Sequence, residues 1–249
     1  MKISIITVTY NSAETLADTL QSVAFQTYPN IEHIIIDGAS KDNTLEIVKQ
    51  FPHVAKVMSE PDKGIYDAMN KGIALATGDV IGILNSDDIF ESNEIIKSII
   101  SVFEGNTTID AVYGNISYFK TENPDKIVRY WKSKPYYATF FEDGEVPPHP
   151  SLFLRKKVYD RIGYYYPYFK ISSDYDLMFR AFKLGKYNPY FLDLNIVKMR
   201  MGGESTKNWK NIWIGNKEVV SVWKKNNVPI PVSFYIKRVL KKVAQYVGK

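Results

Sequence analysis

Between residues 3 and 119, short apolar runs alternate with stretches in which apolar residues recur at helical spacing. The run at 34–36 is three consecutive isoleucines, which is typical of a strand covered on both faces. Strands that alternate with helices in this way predict an α/β fold with a mostly parallel central sheet flanked by helices. We predict strands over 3–9, 32–37, 55–59, 80–84 and 111–119, and helices over 12–25, 43–51, 66–76 and 93–103.

Polar residues directly follow four of these predicted strands. In sheets of this class the carboxyl ends of the parallel strands share one edge, and ligands bind in the crevice beyond that edge. We therefore expect the four polar clusters to converge on a single site. They are Thr9-Tyr10-Asn11, Asp37-Gly38, Glu60-Pro61-Asp62 and Asn85-Ser86-Asp87-Asp88.

The fourth cluster contains two adjacent acids, Asp87 and Asp88, at the end of an apolar run. Two ionised carboxylates cannot stay in an apolar core without a large desolvation cost, so they face water or hold a cation. Mg²⁺ and Mn²⁺ suit carboxylate oxygens, and few protein ligands are needed when a diphosphate supplies the others. A turn explains the same residues, so spacing alone leaves both interpretations open.

The absence of cysteine excludes disulfides, thiolate metal sites and a cysteine nucleophile, and it favours a cytoplasmic location. No apolar run approaches the roughly 18 residues of a membrane-spanning helix. The charge is uneven: of the 32 basic and 27 acidic residues, ten basic ones and a single acid, Glu218, lie at or after Lys207. Such a tail indicates an anionic partner or only a solvated helix face, and no nucleic-acid-binding module is visible.

Beyond residue 119 the pattern is less regular. Residues 120–145 are polar and aromatic and predict a long connection or a hairpin. The aromatics between Tyr130 and Phe141 fit either an acceptor groove or core packing. Ser173 can cap the first of the helices that follow. The remaining predicted elements are helices over 172–184, 208–225 and 233–247 and a strand over 190–201.

Five motifs in a fixed order resemble the glycosyltransferases of family 2, which have the GT-A nucleotide-diphospho-sugar transferase fold. The resemblance is close over about the first 120 residues and weaker to about residue 206. The motifs are Thr7-Val8-Thr9-Tyr10-Asn11, Ile36-Asp37-Gly38-Ala39-Ser40-Lys41-Asp42-Asn43-Thr44, Asp62-Lys63-Gly64-Ile65-Tyr66-Asp67-Ala68-Met69-Asn70-Lys71-Gly72, Gly78-Asp79 and Leu84-Asn85-Ser86-Asp87-Asp88.

We accordingly divide the chain into a GT-A catalytic domain and an appendage. The domain covers residues 1–206, with a nucleotide-binding half at 1–119 and an acceptor half at 120–206. Residues 207–249 form a basic C-terminal appendage of amphipathic helices.

The resemblance implies roles for the residues that follow the strands. Asp37 would contact the base or the ribose, and Asp87 and Asp88 would hold the divalent cation on the diphosphate. The nucleotide-binding residues that it implies are Thr9, Tyr10, Asn11, Asp37, Asp62, Lys63, Ser86 and Asp87.

Two residues depart from the family's motifs. Asn85 replaces the first acid of the usual Asp-x-Asp region, which leaves the metal to Asp87 and Asp88. Gly38 stands where many members have a second acid, which leaves base recognition to Asp37.

The resemblance places the general base at Asp174, because inverting transfer needs a carboxylate that takes the proton of the acceptor hydroxyl. Asp176 points elsewhere and can pair with Arg180, four residues on. From the residues alone, both acids are also explained by the dipole of the helix they begin.

Three further residues are implied at the diphosphate or the acceptor: His149, Arg200 and Ser205. His149 precedes a segment that the family places near the acceptor and the metal. Arg200 and Ser205 flank a Gly-Gly pair that resembles a loop closing on the donor. A loop histidine between prolines and a plain Gly-Gly turn are the simpler alternatives.

The resemblance implies an inverting hexosyl- or N-acetylhexosaminyl-transferase that serves bacterial polysaccharide assembly. It would move a sugar from a nucleotide-sugar donor, UDP-linked, to a glycan or lipid-linked oligosaccharide, with Mg²⁺ or Mn²⁺ as cofactor. From the basic tail we also expect contact with an anionic membrane surface, at the inner face of the cell membrane. A nucleotide-sugar-binding partner protein that has lost catalysis is the alternative, because Asn85 and Ser173 depart from the motifs. A dinucleotide-dependent oxidoreductase lacks its glycine signature here.

Overall fold

The computed structural model describes residues 1–121, 123–202 and 209–238. Within this part, nine strands form one sheet, and helices cover both of its faces. The strands are β1 (Ile3–Thr9), β2 (Ile31–Asp37), β3 (Val54–Ser59), β4 (Val80–Ile83), β5 (Ile89–Phe90), β6 (Ala111–Lys120), β7 (Asn123–Trp131), β8 (Phe153–Arg155) and β9 (Pro189–Arg200).

The helices alternate with the strands in the first half of the chain and cluster in the second. A 3₁₀ turn covers His149–Ser151, a π-helix at Phe179–Leu184 continues α6, and residues 232–238 are helical. The α-helices are α1 (Leu16–Ala24), α2 (Thr44–Val48), α3 (Ile65–Leu75), α4 (Ile95–Gly105), α5 (Lys156–Ile162), α6 (Ser173–Met178) and α7 (Trp209–Lys225).

The strands lie in the order β3-β2-β1-β4-β8-β6-β9-β5, with β7 paired to β6. The first four strands, β1 to β4, are parallel, and Thr9 at the end of β1 stands opposite Asp37 at the end of β2. The joins of β8 to β4 and to β6 are antiparallel, whereas β9 runs parallel to β6. The sheet is thus parallel where the predicted polar clusters lie.

Alternate residues of β1 enter different hydrophobic cores. Ile6 and Val8 face a core that α3, α5, α6 and α7 complete, whereas Ile3 and Ile5 face a second core under α4. Full burial of an aliphatic side chain contributes roughly 1.5–3 kcal/mol. Because both faces of β1 are covered, its sequence is apolar without alternation.

The predicted strands and helices of the first half are confirmed, with ends that shift by a few residues. Of the two alternatives for residues 120–145, the hairpin is found, because β6 and β7 pair antiparallel. The sequence did not reveal β5, β8 or α5. Two or three residues of strand carry no readable periodicity, and β8 is recognisable only by its pairing with β4 and β6.

Helix α7 lies beyond the predicted boundary at residue 207, yet its apolar face is buried in the core that α6 shares. Val219, Val222 and Trp223 are buried there, and Phe234 from the 232–238 helix packs 5.3 Å from the Trp223 ring. Residues on both sides of the boundary therefore contribute to one core. Among the described residues, no helix combines the length and apolar composition that a membrane span requires.

Candidate active site

The ends of the first three strands meet at one edge of the sheet. The Gly38 N–H donates to the Thr9 carbonyl (2.9 Å), and the Glu60 N–H donates to the Asp37 carbonyl (3.0 Å). Asp62 is so near that a Cβ atom on Gly38 would stand 2.6 Å from its Oδ2. Three of the four polar clusters therefore converge as parallel strand ends should.

The same contact gives a physical reason for glycine at position 38. The space that a second acid would fill is taken by the Asp62 carboxylate, which also accepts the Gly64 N–H (2.8 Å). Gly64 has a φ of 116°, a conformation that favours glycine. The turn at 62–64 therefore places the Asp62 carboxylate, from the loop after β3, next to Gly38 and hence beside Asp37.

Asp37 is fully buried, and its carboxylate is already engaged. It accepts the Ser40 hydroxyl (2.5 Å), the Ser40 N–H (3.0 Å) and the Ser59 hydroxyl (2.6 Å). Ser40 in turn accepts the Asn11 N–H (2.8 Å). The structure therefore places Asp37 beneath the surface of the site, where it fixes the loop that carries Asn11.

Tyr10, Asn11 and Lys63 are exposed at this edge, with 58% of the Tyr10 side chain open to solvent. Thr9 is only 5% exposed, and its hydroxyl has no hydrogen-bond partner among the described residues. Buried hydroxyls are normally paired, so an unpaired one at the end of β1 is suited to a polar ligand.

The fourth polar cluster, at residues 85–88, is hydrogen-bonded to α1 and to the loop before it. Ser86 Oγ lies 2.9 Å from Ser12 Oγ, and the Ser86 carbonyl accepts the Thr15 hydroxyl (2.8 Å). The Asp88 carbonyl accepts the Thr19 hydroxyl (2.8 Å). These bonds hold the turn after β4 beside the residues that follow β1.

Asp87 and Asp88 lie in different surroundings. Asp88 is fully buried; its Oδ2 accepts the Asn85 amide (3.0 Å), and its Oδ1 has no partner in the described part of the chain. Asp87 is half-buried. Burial raises the pKa of Asp87, and burial with the neighbouring Asp87 charge raises the pKa of Asp88 well above its usual range, although Arg200 opposes both shifts.

The Asp87 carboxylate fits a divalent cation. It is accessible, it is partly desolvated, and oxygen donors are the ligands that Mg²⁺ and Mn²⁺ prefer. No cluster of three His, Cys, Asp or Glu side chains occurs in residues 1–121, 123–202 and 209–238, so a ligand would supply the other oxygens. Asp88 is fully buried and the Asn85 amide holds one of its oxygens, so the expectation that it holds the metal together with Asp87 stays a prediction.

Asp174 stands in the first turn of α6 and is half-buried. Its Oδ1 accepts the Tyr175 N–H (2.8 Å) and lies 3.3 Å from the Tyr66 hydroxyl. The same hydroxyl donates to the Ile171 carbonyl (2.7 Å). Tyr66 lies in the first turn of α3, so the Asp174 carboxylate is joined to the helix that follows the 62–64 turn.

The neighbours of Asp174 have structural roles. Ser173 does not cap α6 as predicted; it is the first residue of the helix, and its hydroxyl accepts the Tyr166 N–H (2.6 Å). The predicted pairing of Asp176 with Arg180 is confirmed at 2.7 Å, with the Asp176 side chain fully buried. Burial raises the pKa of Asp176, and the Arg180 charge opposes this shift.

His149 lies close to Asp174 through a cluster of tyrosines. Its Nε2 is 2.7 Å from the Tyr165 hydroxyl, and the Tyr165 ring stacks on Tyr66 at 5.6 Å. Burial lowers the pKa of His149, and the Asp174 charge opposes this shift. Asn70 holds Tyr165 by accepting its N–H (2.9 Å) and donating to its carbonyl (2.8 Å). Tyr165 could not be predicted from the sequence, because it lies in a run of three tyrosines with nothing to distinguish it.

Arg200 lies at the end of β9, close enough to Asp87 to lower the pKa of that carboxyl. Its guanidinium pairs with Asp18 (2.9 Å) and sits 4.8 Å over the Phe119 ring. A cavity of about 620 Å³ opens beside it, between α1 and β5. Ser205 lies outside the described residues, so its predicted role stays a prediction.

Some of the aromatic residues between Tyr130 and Phe141 pack in the core and do not line a groove. Phe140 and Phe141 are fully buried, and Tyr136 packs against both rings. Tyr130 and Tyr137 remain exposed.

Comparison with solved structures gives the same fold. The chain aligns over 99% of its length with S. aureus TarS 1-349 in complex with UDP-GlcNAc, covering 72% of that chain at 17% identity, with a TM-score of 0.66. It aligns equally with the mannosyltransferase PcManGT from Pyrobaculum calidifontis in complex with GDP-Man and Mn²⁺, covering 70% of it at 17% identity and a TM-score of 0.66. The fold is therefore that of the GT-A glycosyltransferases.

Sequence relatives carry glycosyltransferase names. The chain is 33% identical over 182 residues to an uncharacterized glycosyltransferase of Mycobacterium tuberculosis, covering 72% of this chain and 68% of the relative. It is 30% identical over 183 residues to a PGL/p-HBAD biosynthesis glycosyltransferase of Mycobacterium bovis, covering 72% and 69%. The model of the family "Glycosyl transferase family 2" matches residues 4–163, and the chain belongs to that family.

Proposed function

We propose that the protein is an inverting glycosyltransferase that moves a sugar from a nucleotide-diphosphate donor to an acceptor hydroxyl, with Asp174 as general base. This proposal depends on the contact between Asp174 and α3, the helix that follows the proposed nucleotide-binding edge of the sheet. Tyr66, whose hydroxyl lies 3.3 Å from Asp174 Oδ1, belongs to the helix that begins directly after the 62–64 turn. The candidate base therefore contacts the helix that follows the turn with two of the candidate nucleotide contacts, Asp62 and Lys63.

The proposed donor is a UDP-sugar of the hexose or N-acetylhexosamine class. Proteins of the same fold have been solved with UDP-GlcNAc and with GDP-Man, which supports a nucleotide sugar as the ligand of this edge. Tyr10 and Lys63 are exposed where base and phosphate would lie, and Asp37 supports, through Ser40, the loop that carries Asn11. The nucleotide contacts that we propose are Thr9, Tyr10, Asn11, Asp62, Lys63, Ser86 and Asp87, with Asp37 acting through Ser40.

We assign a divalent cation, Mg²⁺ or Mn²⁺, to Asp87. A bound cation neutralises charge that develops on the leaving diphosphate. Arg200, whose charge acts on Asp87, and the exposed Lys63 would add positive charge. In GT-A proteins of this fold a metal accompanies the donor in at least one solved complex, that of PcManGT with Mn²⁺.

The proposed chemistry is one displacement. The acceptor oxygen bonds to C1 of the sugar, the bond from C1 to the diphosphate oxygen breaks, and the acceptor's proton passes to Asp174. Attack opposite the leaving group inverts the anomeric configuration. His149, whose pKa burial lowers, is neutral at pH 7 and can form a hydrogen bond to the acceptor or the diphosphate without adding charge.

The test of the base is Asp174→Asn, with Asp160→Asn on α5 as an exposed-acid control. A thermal-shift panel of nucleotide sugars with Mn²⁺ first identifies the donor, because a ligand of the native state raises apparent stability. We expect donor turnover to fall by about 10²–10⁴-fold in Asp174→Asn, the usual contribution of a general base, with UDP affinity retained. Equal turnover in both variants would refute the base, and binding without turnover in the wild type would favour a non-catalytic partner protein.

We further propose a lipid-linked oligosaccharide acceptor at an anionic membrane surface on the cytoplasmic side, as in bacterial surface polysaccharide assembly. The 232–238 helix exposes Val232, Tyr235 and Ile236, with 86%, 50% and 64% of their side chains open to solvent. Lys237 lies on the same helix, and the segment from Lys207 carries ten basic residues against one acid. An exposed apolar strip in a segment of this net charge suits anionic lipid.

Flotation with phosphatidylglycerol vesicles tests this contact. Truncation would remove the buried Phe234, so the better variant is V232S/I236S, with V57S on β3 as a control that removes another exposed apolar side chain. We expect V232S/I236S alone to lose flotation. Flotation equal to the wild type would overturn the membrane proposal and leave the catalytic one intact.

A further inference from the structure

Glu218 is the single acid in the basic segment that begins at Lys207, and it lies on α7. Its carboxylate accepts three successive backbone N–H groups, from Lys170 (2.7 Å), Ile171 (2.8 Å) and Ser172 (2.9 Å). Hydrogen bonds to an ionised acceptor are about twice as strong as neutral ones. One side chain of α7 therefore fixes the backbone of a whole turn.

That turn leads directly into α6, where Asp174 stands two residues beyond Ser172. On its other side, the Ile171 carbonyl accepts the Tyr66 hydroxyl (2.7 Å), which also lies 3.3 Å from Asp174 Oδ1. The backbone of Ile171 is thus held by α7 through its N–H and by α3 through its carbonyl.

Two further contacts bind α7 to the same region. The Ser172 hydroxyl donates to the Gly215 carbonyl (3.1 Å), and a Cβ atom at Gly215 would stand 3.1 Å from Ile171 Cγ2. The Trp223 indole N–H donates to the Tyr175 hydroxyl (2.9 Å). The helix therefore touches the residues before and after Asp174, and Glu218 provides three bonds to the turn that precedes α6.

We propose that Glu218 is a positioning residue for the reaction: it orients Asp174 by holding the 170–172 turn. The inference rests on the proposed role of Asp174 as base. A displacement of about 1 Å at a reacting group can cost about 10²-fold in rate, so loss of the three bonds should lower kcat. Donor contacts lie on other strands and loops, so KM for the donor should change little.

The experiment compares Glu218→Ala and Glu218→Gln with Val219→Ala, the matched control. Val219 is buried on the same helix and makes none of the three bonds to the turn, so its truncation loosens α7 but keeps those bonds. Glutamine keeps one acceptor oxygen for Ile171 and Ser172 but turns an N–H group toward Lys170. We expect kcat to fall about 10²-fold in Glu218→Ala and less in Glu218→Gln, with donor KM within about twofold and kcat of Val219→Ala near the wild type.

Thermal midpoints separate positioning from instability. If Glu218→Ala and Val219→Ala melt at similar temperatures and have similar kcat, Glu218 has only a structural role and the inference is wrong. If Glu218→Ala does not fold, Glu218→Gln decides, because kcat equal to the wild type would overturn the proposal. The double variant Glu218→Gln/Asp174→Asn should be no slower than Asp174→Asn, since Glu218 acts through Asp174. An active Asp174→Asn would instead remove the base assignment, and the inference with it.

Discussion

Asp87 and Asp88 are adjacent in the chain, but only one of them is open to a ligand. Asp88 is fully buried, and the Asn85 amide holds one of its oxygens, whereas Asp87 is half-buried and faces the charge of Arg200. Asn85, which replaces an acid of the family motif, thus donates its amide N–H to Asp88. Among the acids of the candidate site, Asp37 and Asp88 are buried and bonded to neighbouring residues, whereas others, such as Asp87, are accessible.

Substitution by asparagine should separate these two acids. We expect Asp87→Asn to abolish the gain in UDP affinity that Mn²⁺ confers, at least about tenfold, because it removes the accessible carboxylate oxygen. Asp88→Asn should keep most of that gain, because burial already raises the pKa of Asp88 and a neutral amide of the same size replaces it. Calorimetric titration of UDP with and without Mn²⁺ measures both. The opposite pattern would assign the metal to Asp88.

At the scale of secondary-structure elements, α3 lies against β1 and β2 with Gly72 at the contact. A Cβ atom at Gly72 would stand 2.4 Å from Ile6 Cγ2 and 3.3 Å from Ile36 Cγ1. Both isoleucines are buried and branched at Cβ, so they have little freedom to move. The close approach also fixes where Tyr66, on the same helix, meets Asp174.

Gly72→Ala should therefore destabilise the protein. Overpacking of a well-filled core typically costs about 1–3 kcal/mol, and the better helix propensity of alanine returns up to about 1 kcal/mol. We expect a thermal midpoint lower by roughly 2–6 °C for a chain of this size. Gly105→Ala is the matched control, because it lies at the end of α4 with nothing within 4 Å of the added carbon. A midpoint for Gly72→Ala at or above that control would contradict the packing argument.

The elements that could be predicted from the sequence are those whose apolar residues repeat over several positions. β1, β2 and α3 show such patterns, and the polar residues at their ends lie where parallel strands must place them. β5 and β8 are too short for a pattern, and their positions depend on pairing with β9, β4 and β6, which are distant in the chain.

The candidate site divides in the same way. Asp87 and Asp174 can be proposed from motifs. Glu218, in contrast, binds backbone N–H groups 46–48 residues earlier in the chain. Every residue except proline has such a group, so the sequence does not show which ones Glu218 binds. The position of Asp62 beside Gly38 is equally invisible, because it depends on how the 62–64 turn folds back. Contacts between distant loops are therefore the part that only the structure supplies.

At the scale of the whole molecule, β2 lies between β1 and β3 and carries a buried histidine. His33 is fully buried; its Nε2 lies 3.0 Å from the Thr7 hydroxyl and its Nδ1 lies 3.0 Å from His53 Nε2. Burial, with a smaller effect of His53, lowers the pKa of His33 to about 3. Burial also lowers the pKa of His53.

Glu32, one residue earlier on β2, has a lowered pKa as well, because hydrogen bonds from Ser4 and Thr77 outweigh the effect of its burial.

These shifts predict a fold that weakens in mild acid. Unfolded His33 takes up a proton near pH 6.5 and the folded form only near pH 3, so stability falls as pH drops between those values. At pH 4.5 the His33 contribution is roughly 2–3 kcal/mol, which lowers the thermal midpoint by roughly 5–10 °C. Glu32 adds its own loss only below about pH 4.5, because its carboxylate is stabilising above its usual pKa.

His33→Gln isolates this effect, because glutamine keeps a polar side chain but does not titrate. The variant is less stable at pH 7.5 for packing reasons, so the quantity to compare is the change in thermal midpoint between pH 7.5 and pH 4.5. We expect the wild type to lose roughly 5–10 °C more over that interval than His33→Gln. Calorimetric scans at half-unit steps above pH 4.5 avoid the Glu32 transition. Parallel pH profiles for the two proteins would show that His33 does not control acid stability.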